Sequence, residues 1–223
     1  MNNYDTFIFD FDYTLADSSK GIIYCFRNVL EKHGYNSISD EKIKRTIGMT
    51  LENSFCALME ETDVDKLSTY VKEYVNIADG YMNDNTVLFP ETAEVLNTLK
   101  ESGVKLGIVS TKYRYRIKYF LDREFGPDFI KVIIGGEDVT NHKPSPEGLL
   151  LAINKLNSDK SKCLYIGDST IDAAAAQAAG IDFYGVLNGA TTREELSIFP
   201  HVIIAEDLTN LLEISNCAVK ATT

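Results

Sequence analysis

Two aspartates close an apolar run, Thr6-Phe7-Ile8-Phe9-Asp10-Phe11-Asp12-Tyr13-Thr14-Leu15. Residues two apart on an extended chain share a side, so the carboxylates of Asp10 and Asp12 are expected to converge where the strand gives way to a loop. Taking two carboxylates out of water together is costly unless a cation or a proton compensates. Such a pair offers ligands for a metal ion and an acid/base couple. Asp-x-Asp is also common in surface turns and helix caps, so the pair gains meaning only from what else reaches the same place.

Three further clusters could do so. Ser110-Thr111-Lys112 offers hydroxyls and backbone N–H groups to an anion at a helix start. Lys143, in Asn141-His142-Lys143-Pro144-Ser145, sits in a loop fixed by proline just before a helix. Gly167-Asp168-Ser169-Thr170-Ile171-Asp172 puts one acid at a strand end and a second four residues on, in the first helical turn. Each alone has an ordinary reading: Ser110, Thr111 or Asp168 as a helix cap, Asp172 as a partner of the helix dipole, Lys143 as a solvated lysine. Together, the carboxylates of Asp10 and Asp168 supply oxygen ligands for Mg²⁺, and Ser110, Thr111 and Lys143 supply donors for a phosphoryl group beside it.

The elements that must position these groups are legible from periodicity. Thr6 to Phe11 reads as a buried strand, rich in aromatic and β-branched residues. Helical spacing then takes over, with Ile22, Ile23, Phe26, Val29 and Leu30 on one face and Gly34 as a stop. Ser39 and Thr50 are candidate N-caps of two short helices separated by Gly48, and Val64 to Tyr81 forms a longer one whose tyrosines serve packing. From about Asp17 to Thr86 the sequence predicts no strand. Beyond Thr86 strands and helices alternate: strands at Val104 to Val109, Val132 to Ile134, Lys162 to Ile166, Phe183 to Leu187 and Val202 to Ile204, the last followed by a helix at Leu208 to Ile214. Ser145-Pro146-Glu147 reads as a helix start with a capping serine and proline at the first position. This pattern predicts an α/β fold, a doubly wound parallel sheet with an inserted α-helical cap domain. The expected division is a core of 1–16 and 87–223 and a cap of 17–86. The four clusters then fall just after strands, at the edge where such sheets bind ligands.

Bulk properties narrow the classes. The 223 residues are 44% hydrophobic and carry a net charge of −11, without a basic stripe for nucleic acid or an anionic membrane. No apolar stretch approaches the roughly 18–20 residues that span a bilayer, and acidic residues interrupt the opening hydrophobic run, so a cytoplasmic protein is expected. Cys25, Cys56, Cys163 and Cys217 are dispersed and form no Cys-x-x-Cys pair, which favours reduced thiols over disulfides or zinc. His33, His142 and His201 lie too far apart in sequence to read as a metal cluster.

In order and context, Asp10-Phe11-Asp12-Tyr13-Thr14, Ser110, Lys143 and Gly167-Asp168-x-x-x-Asp172 resemble the four motifs of the haloacid dehalogenase (HAD) superfamily, whose core is Rossmann-like. The helical insert after the first motif resembles that superfamily's first type of cap, and Thr46 to Phe55 looks like the corresponding stretch of phosphoglycolate phosphatase-like members. The resemblance implies that Asp10 is the nucleophile forming an aspartyl-phosphate and that Asp12 is the acid/base. It implies Mg²⁺ held by Asp10, the Asp12 backbone carbonyl and Asp168, with Asp172 fixing a metal-bound water, and phosphate held by Ser110, Thr111 and Lys143. The substrate would be a small phosphorylated metabolite, contacted by the cap near Gly48 and by Tyr13, which stands where the family motif usually has glycine. A Mg²⁺-dependent phosphatase is the leading expectation. A phosphomutase of the beta-phosphoglucomutase type and a pyrophosphatase are alternatives, as is a non-catalytic phospho-ligand binding protein on the same fold. An acid at Asp12 disfavours a dehalogenase. Neither the natural substrate nor the oligomeric state is readable.

Overall fold

The computed structural model describes residues 4–214; Cys217 and the outermost parts of the expected core, 1–3 and 215–223, lie outside the described residues. The first strand, β1 (Thr6–Phe9), is wholly buried. A two-residue strand β2 (Ala16–Asp17) follows, then four helices, α1 (Ser19–Lys32), α2 (Asp40–Lys44), α3 (Leu51–Met59) and α4 (Val64–Tyr81). The chain returns through β3 (Val87–Leu88), antiparallel to β2 with Ala16 opposite Leu88. This ribbon is not foreseen in the sequence, because two residues per strand give no alternation to read.

Beyond it run α5 (Thr92–Glu101), β4 (Lys105–Val109), α6 (Arg114–Phe125), β5 (Val132–Ile134), α7 (Glu147–Lys155), β6 (Cys163–Gly167) and α8 (Thr170–Ala179). The described chain closes with β7 (Asp182–Val186), α9 (Arg193–Ser197), β8 (Ile203–Ala205) and α10 (Leu211–Ile214). Six strands form one parallel sheet in the order β5-β4-β1-β6-β7-β8. The chain order reverses at β1, which lies between β4 and β6. That is where an open doubly wound sheet presents its ligand crevice.

Alternation along β1 makes both faces of the sheet. Phe7 and Phe9 join Leu96, Leu99, Ile117 and Phe120 of α5 and α6 on one side. Ile8 joins Tyr165, Leu149, Ala152 and the alanines of α8 on the other. The small alanine side chains let α8 lie close against β6 and β7, so the helix-prone run serves packing as well as propensity. A third apolar cluster draws only on residues of the helical insert, with Phe55 touching Phe26, Tyr70 and Tyr74 at centroid distances of 4.9, 5.7 and 6.3 Å.

Local signals set the helix starts. The hydroxyls of Ser39 and Thr50 accept from the backbone N–H of Lys42 and Asn53, closing the first turns of α2 and α3. The start of α7 differs from the sequence reading. Pro146 occupies the cap position rather than the first helical one. Glu147 turns back to accept from the backbone N–H groups of Thr140 and Asn141, at 2.8 and 2.9 Å, and so pins the loop that carries Lys143.

Phe55 is fully buried, so Phe55→Ala should lower stability by about 3–5 kcal/mol, the usual cost of deleting a buried aromatic ring. A urea titration followed by tyrosine signals checks this, since the chain contains no tryptophan.

Candidate active site

Parallel pairing brings the site together. Phe9 lies opposite Ile108 of β4 and Ile166 of β6, and the Asp10 N–H donates to the Ile166 carbonyl at 2.8 Å. Asp10, Ser110 and Asp168 are each the first or second residue beyond the paired part of their strands, so all three emerge at one sheet edge. Asp10 and Asp168 are 2% and 5% exposed and Asp172 is sealed completely.

Carboxylate oxygens of Asp10, Asp168 and Asp172 lie within 4.8 Å of one another. Lys143 Nζ is 3.0 Å from Asp10 and 2.5 Å from Asp172, and it also reaches the Tyr165 hydroxyl at 3.0 Å. Both oxygens of Asp172 are engaged: Oδ1 by Lys143 and by the Tyr165 hydroxyl at 2.8 Å, Oδ2 by the Ser169 hydroxyl at 2.5 Å and its N–H at 3.2 Å. Asp10 Oδ1, by contrast, faces Lys143 without an aligned hydrogen bond and has no partner of that kind. Burial pushes the Asp10 carboxyl up to about 6, against the pull of Lys143, and pushes Asp168 well above the carboxylate range. Burial draws the Lys143 ammonium down, but the carboxylates of Asp10 and Asp172 more than reverse this and hold it above its ordinary value.

Asp12 goes elsewhere. Its carboxylate takes a 2.7 Å ion pair from Lys112 and a hydrogen bond from Ser18, and it is not part of the acid cluster. The expected convergence of the two carboxylates therefore fails. Regular strand ends at Phe9, and the next residues turn through Tyr13 at φ 60°, so two-residue alternation no longer applies. Ser18 caps α1 by position yet gives its hydroxyl to Asp12 instead of the helix.

The remaining sequence candidates separate into two groups. Ser110 and Lys143 line one small cavity of about 10 Å³ together with Thr111. The Thr111 hydroxyl donates to the carbonyl of Gly48 at 3.2 Å, so it ties the helical insert to the sheet edge. Gly48, at φ 97°, lines a cavity of about 60 Å³ whose floor is Asp12 and Lys112. Tyr13 does not reach that cavity. It borders a different one of about 120 Å³ beside Asp168 and Ser169, with Ile47 and Met49 between the two, and burial pushes its phenol up to about 12.

Sequence reading passed over Lys112, Tyr165 and Arg116. Lys112 was visible as the third residue of its motif, but nothing local shows which acid it meets. Tyr165 sits inside a strand and reads as core, and Arg116 reads as a surface residue of α6. Arg116 is in fact 4% exposed, held by Asp79 of α4 at 2.7 Å and by the Val75 carbonyl at 3.1 Å.

The sequence pattern of the haloacid dehalogenase-like hydrolases matches residues 7–186. The chain belongs to this family. It is 32% identical to the pyrophosphatase PpaX of Bacillus pumilus over 198 residues, covering 88% of each chain. It is 29% identical to a phosphoglycolate phosphatase of Salmonella typhimurium over 225 residues, covering 92% of this chain and 89% of that one. A crystal structure of a haloacid dehalogenase-like hydrolase from Bacteroides fragilis is 55% identical, with a TM-score of 0.92 over 93% of this chain and 99% of that one.

In this HAD-like hydrolase the acid cluster fits a hard divalent cation. Its donors are all oxygens, and one, on Asp10, is buried without a hydrogen bond. Bare α-carbons crowd the other two acids: a Cβ on Gly189 would stand 2.0 Å from Asp168, and one on Gly167 2.6 Å from Asp172. No helix of the described residues is long and apolar enough to cross a membrane.

Titration of the cluster gives a pH signature. Between its ordinary range and about 6, Asp10 holds a proton in the folded chain that the unfolded chain has released. Stability of the metal-free protein should therefore fall as pH rises through that window, by roughly 3 kcal/mol from Asp10 alone, with Asp168 adding in the same direction. Melting temperatures in EDTA at pH 5 and pH 7 check the slope, and Asp10→Asn should flatten it.

Proposed function

We propose that the chain is a Mg²⁺-dependent phosphatase that hydrolyses a small phosphomonoester in the cytoplasm through an aspartyl-phosphate on Asp10. The observation that supports this most is the separation of the two motif aspartates. Asp10 sits among buried acids against Lys143, whereas Asp12 forms the floor of the cavity beneath the helical insert. A nucleophile and a proton donor need such different surroundings. One must approach phosphorus, and the other must reach the oxygen that leaves.

In this reading a carboxylate oxygen of Asp10 attacks phosphorus in line with the departing oxygen, and the phosphorus–oxygen ester bond breaks. Asp12 must first take up a proton in place of its ion pair with Lys112, and it gives that proton to the departing oxygen, so the alcohol departs neutral at its reacting end. Asp12, now ionised, takes a proton from water as the water attacks the aspartyl-phosphate, which releases phosphate and restores both aspartates. Ser110 and Lys143 hold the phosphate oxygens that do not react, and Lys143 keeps Asp10 ionised when phosphate arrives. Asp10, the Asp12 backbone carbonyl and Asp168 would hold Mg²⁺, which when bound neutralises repulsion between carboxylate and phosphate and stabilises transition-state charge. Asp172 serves from outside that set, since its oxygens fix Lys143 and the turn at Ser169. Residues 17–86 act as the cap, hinged at the β2–β3 ribbon, over a core of 1–16 and 87–223.

Hydrolysis of p-nitrophenyl phosphate should require Mg²⁺, be abolished by EDTA and return when the ion is added back. Asp10→Asn should be inactive but folded. Asp12→Asn should lose about 10²–10⁴-fold, the usual range for an acid/base group, and should accumulate phosphoenzyme visible by intact-protein mass spectrometry. Metal-independent turnover, or activity in Asp10→Asn, contradicts the mechanism. A non-catalytic phosphate binder would show no turnover under any of these conditions.

A further inference from the structure

Tyr165 lies at the middle of β6, fully buried, in the apolar cluster that Ile8 and Leu149 also join. Packing alone would be served by phenylalanine. The hydroxyl, however, meets three partners. It accepts from Lys143 Nζ at 3.0 Å, while Asp172 Oδ1 at 2.8 Å and the Val109 carbonyl at 3.1 Å compete for its hydrogen. A hydroxyl has one hydrogen to give, and the nearer, charged acceptor takes it. Burial holds the phenol well above its ordinary value, so the group stays neutral and keeps a lone pair for Lys143.

An ammonium carries three N–H groups in fixed tetrahedral directions. Lys143 directs one at Asp172 Oδ1, 2.5 Å away, and a second at the Tyr165 hydroxyl. Asp10 Oδ1 is as near as the tyrosine oxygen, at 3.0 Å, yet it receives no aligned hydrogen bond among the described residues. Charge alone would turn the ammonium onto this second carboxylate. The neutral acceptor on Tyr165 holds it off that line. Asp10 therefore feels the positive charge of Lys143 while one of its oxygens stays uncapped. A nucleophile needs that arrangement, because an oxygen capped by an N–H must shed the bond before it joins phosphorus.

We propose that Tyr165 is a positioning residue for the nucleophile: by holding one N–H of Lys143, its hydroxyl keeps the ammonium from capping Asp10. This rests on the phosphatase reading above and extends it to a side chain inside the sheet that acts only through Lys143. Without the hydroxyl, the freed N–H swings onto Asp10 Oδ1. The new bond stabilises the resting carboxylate and not the transition state. The loss should therefore fall on kcat and spare KM.

The test is Tyr165→Phe, which keeps the ring and its packing, assayed with p-nitrophenyl phosphate at saturating Mg²⁺. Its kcat should fall about ten- to a hundredfold, the range for a hydrogen bond to a charged group, with KM unchanged within about twofold. In a Lys143→Met background the same change should cost no more than about twofold, since no ammonium is left to turn. A crystal structure of metal-free Tyr165→Phe gives a readout independent of turnover: Lys143 Nζ should make an aligned hydrogen bond to Asp10 Oδ1. A merely structural tyrosine would lower the melting temperature and leave kcat of the folded variant unchanged, which overturns the proposal. A full further loss in the Lys143→Met background, or a Lys143 that does not turn in the variant crystal, also overturns it. In each of these cases the wild-type chain still turns over and the phosphatase reading stands. Failure of the wild-type chain to hydrolyse any phosphomonoester overturns that reading and the role of Tyr165 with it.

Discussion

Asp10, Asp168 and Asp172 bring carboxylate oxygens within 4.8 Å of one another at a sheet edge nearly closed to water. Among the described residues, Lys143 is the ammonium that meets two of them. One positive charge cannot balance three negative ones in a low dielectric, so the cluster must keep a proton or take up a cation. Much else at this edge follows from that constraint. Tyr165, buried in the sheet, presents its hydroxyl to Lys143 and Asp172 together. The capping box of α8 turns both Ser169 donors on Asp172. Gly167 and Gly189 lack side chains where any Cβ would displace an acid. Asp172 is thereby committed to its neighbours, and Asp10 keeps an oxygen free of hydrogen bonds.

Asp12 belongs to a second balance on the far side of the motif. Lys112 neutralises it in a cavity bounded by the helical insert, so its chemistry depends on how the insert sits over the sheet. The contacts that seat the insert differ in weight. Arg45 and Glu195 pair at 3.1 Å in solvent, a kind of bridge that contributes little. Arg116 is buried and bonded to both Asp79 and the Val75 carbonyl, and the Thr111 hydroxyl reaches the Gly48 carbonyl. Arg116, Thr111 and Gly48 also line the cavity, so groups that seat the insert are among those that shape it.

Much of this was legible in the sequence, for reasons that can be named. The strands of the sheet are short apolar runs between turn signals, and β5 runs from Val132 to Ile134 as its pattern predicts. Ser39 and Thr50 cap helices because capping depends on a hydroxyl and on the three residues that follow. Asp10, Lys143, Asp168 and Asp172 share one edge because each follows a strand or starts a helix there. What escaped the sequence depends on contacts between distant segments. The partnership of Lys112 with Asp12 spans 100 residues, and that of Arg116 with Asp79 spans 37. Tyr165 looks like core until its hydroxyl is seen beside Lys143. Alternation misplaced the Asp12 carboxylate because the strand ends sooner than its apolar pattern does.

In the proposed reading, charge at this edge is completed by a divalent cation shared by Asp10 and Asp168, with Asp172 retained by Lys143. The direct measurement is anomalous diffraction from crystals soaked in Mn²⁺, an oxygen-seeking stand-in for Mg²⁺. One strong peak is expected at this edge, in contact with the carboxylates of Asp10 and Asp168 and the Asp12 carbonyl, with Lys143 still on Asp172. A peak away from Asp10, or one that Asp172 ligates after leaving Lys143, would contradict it.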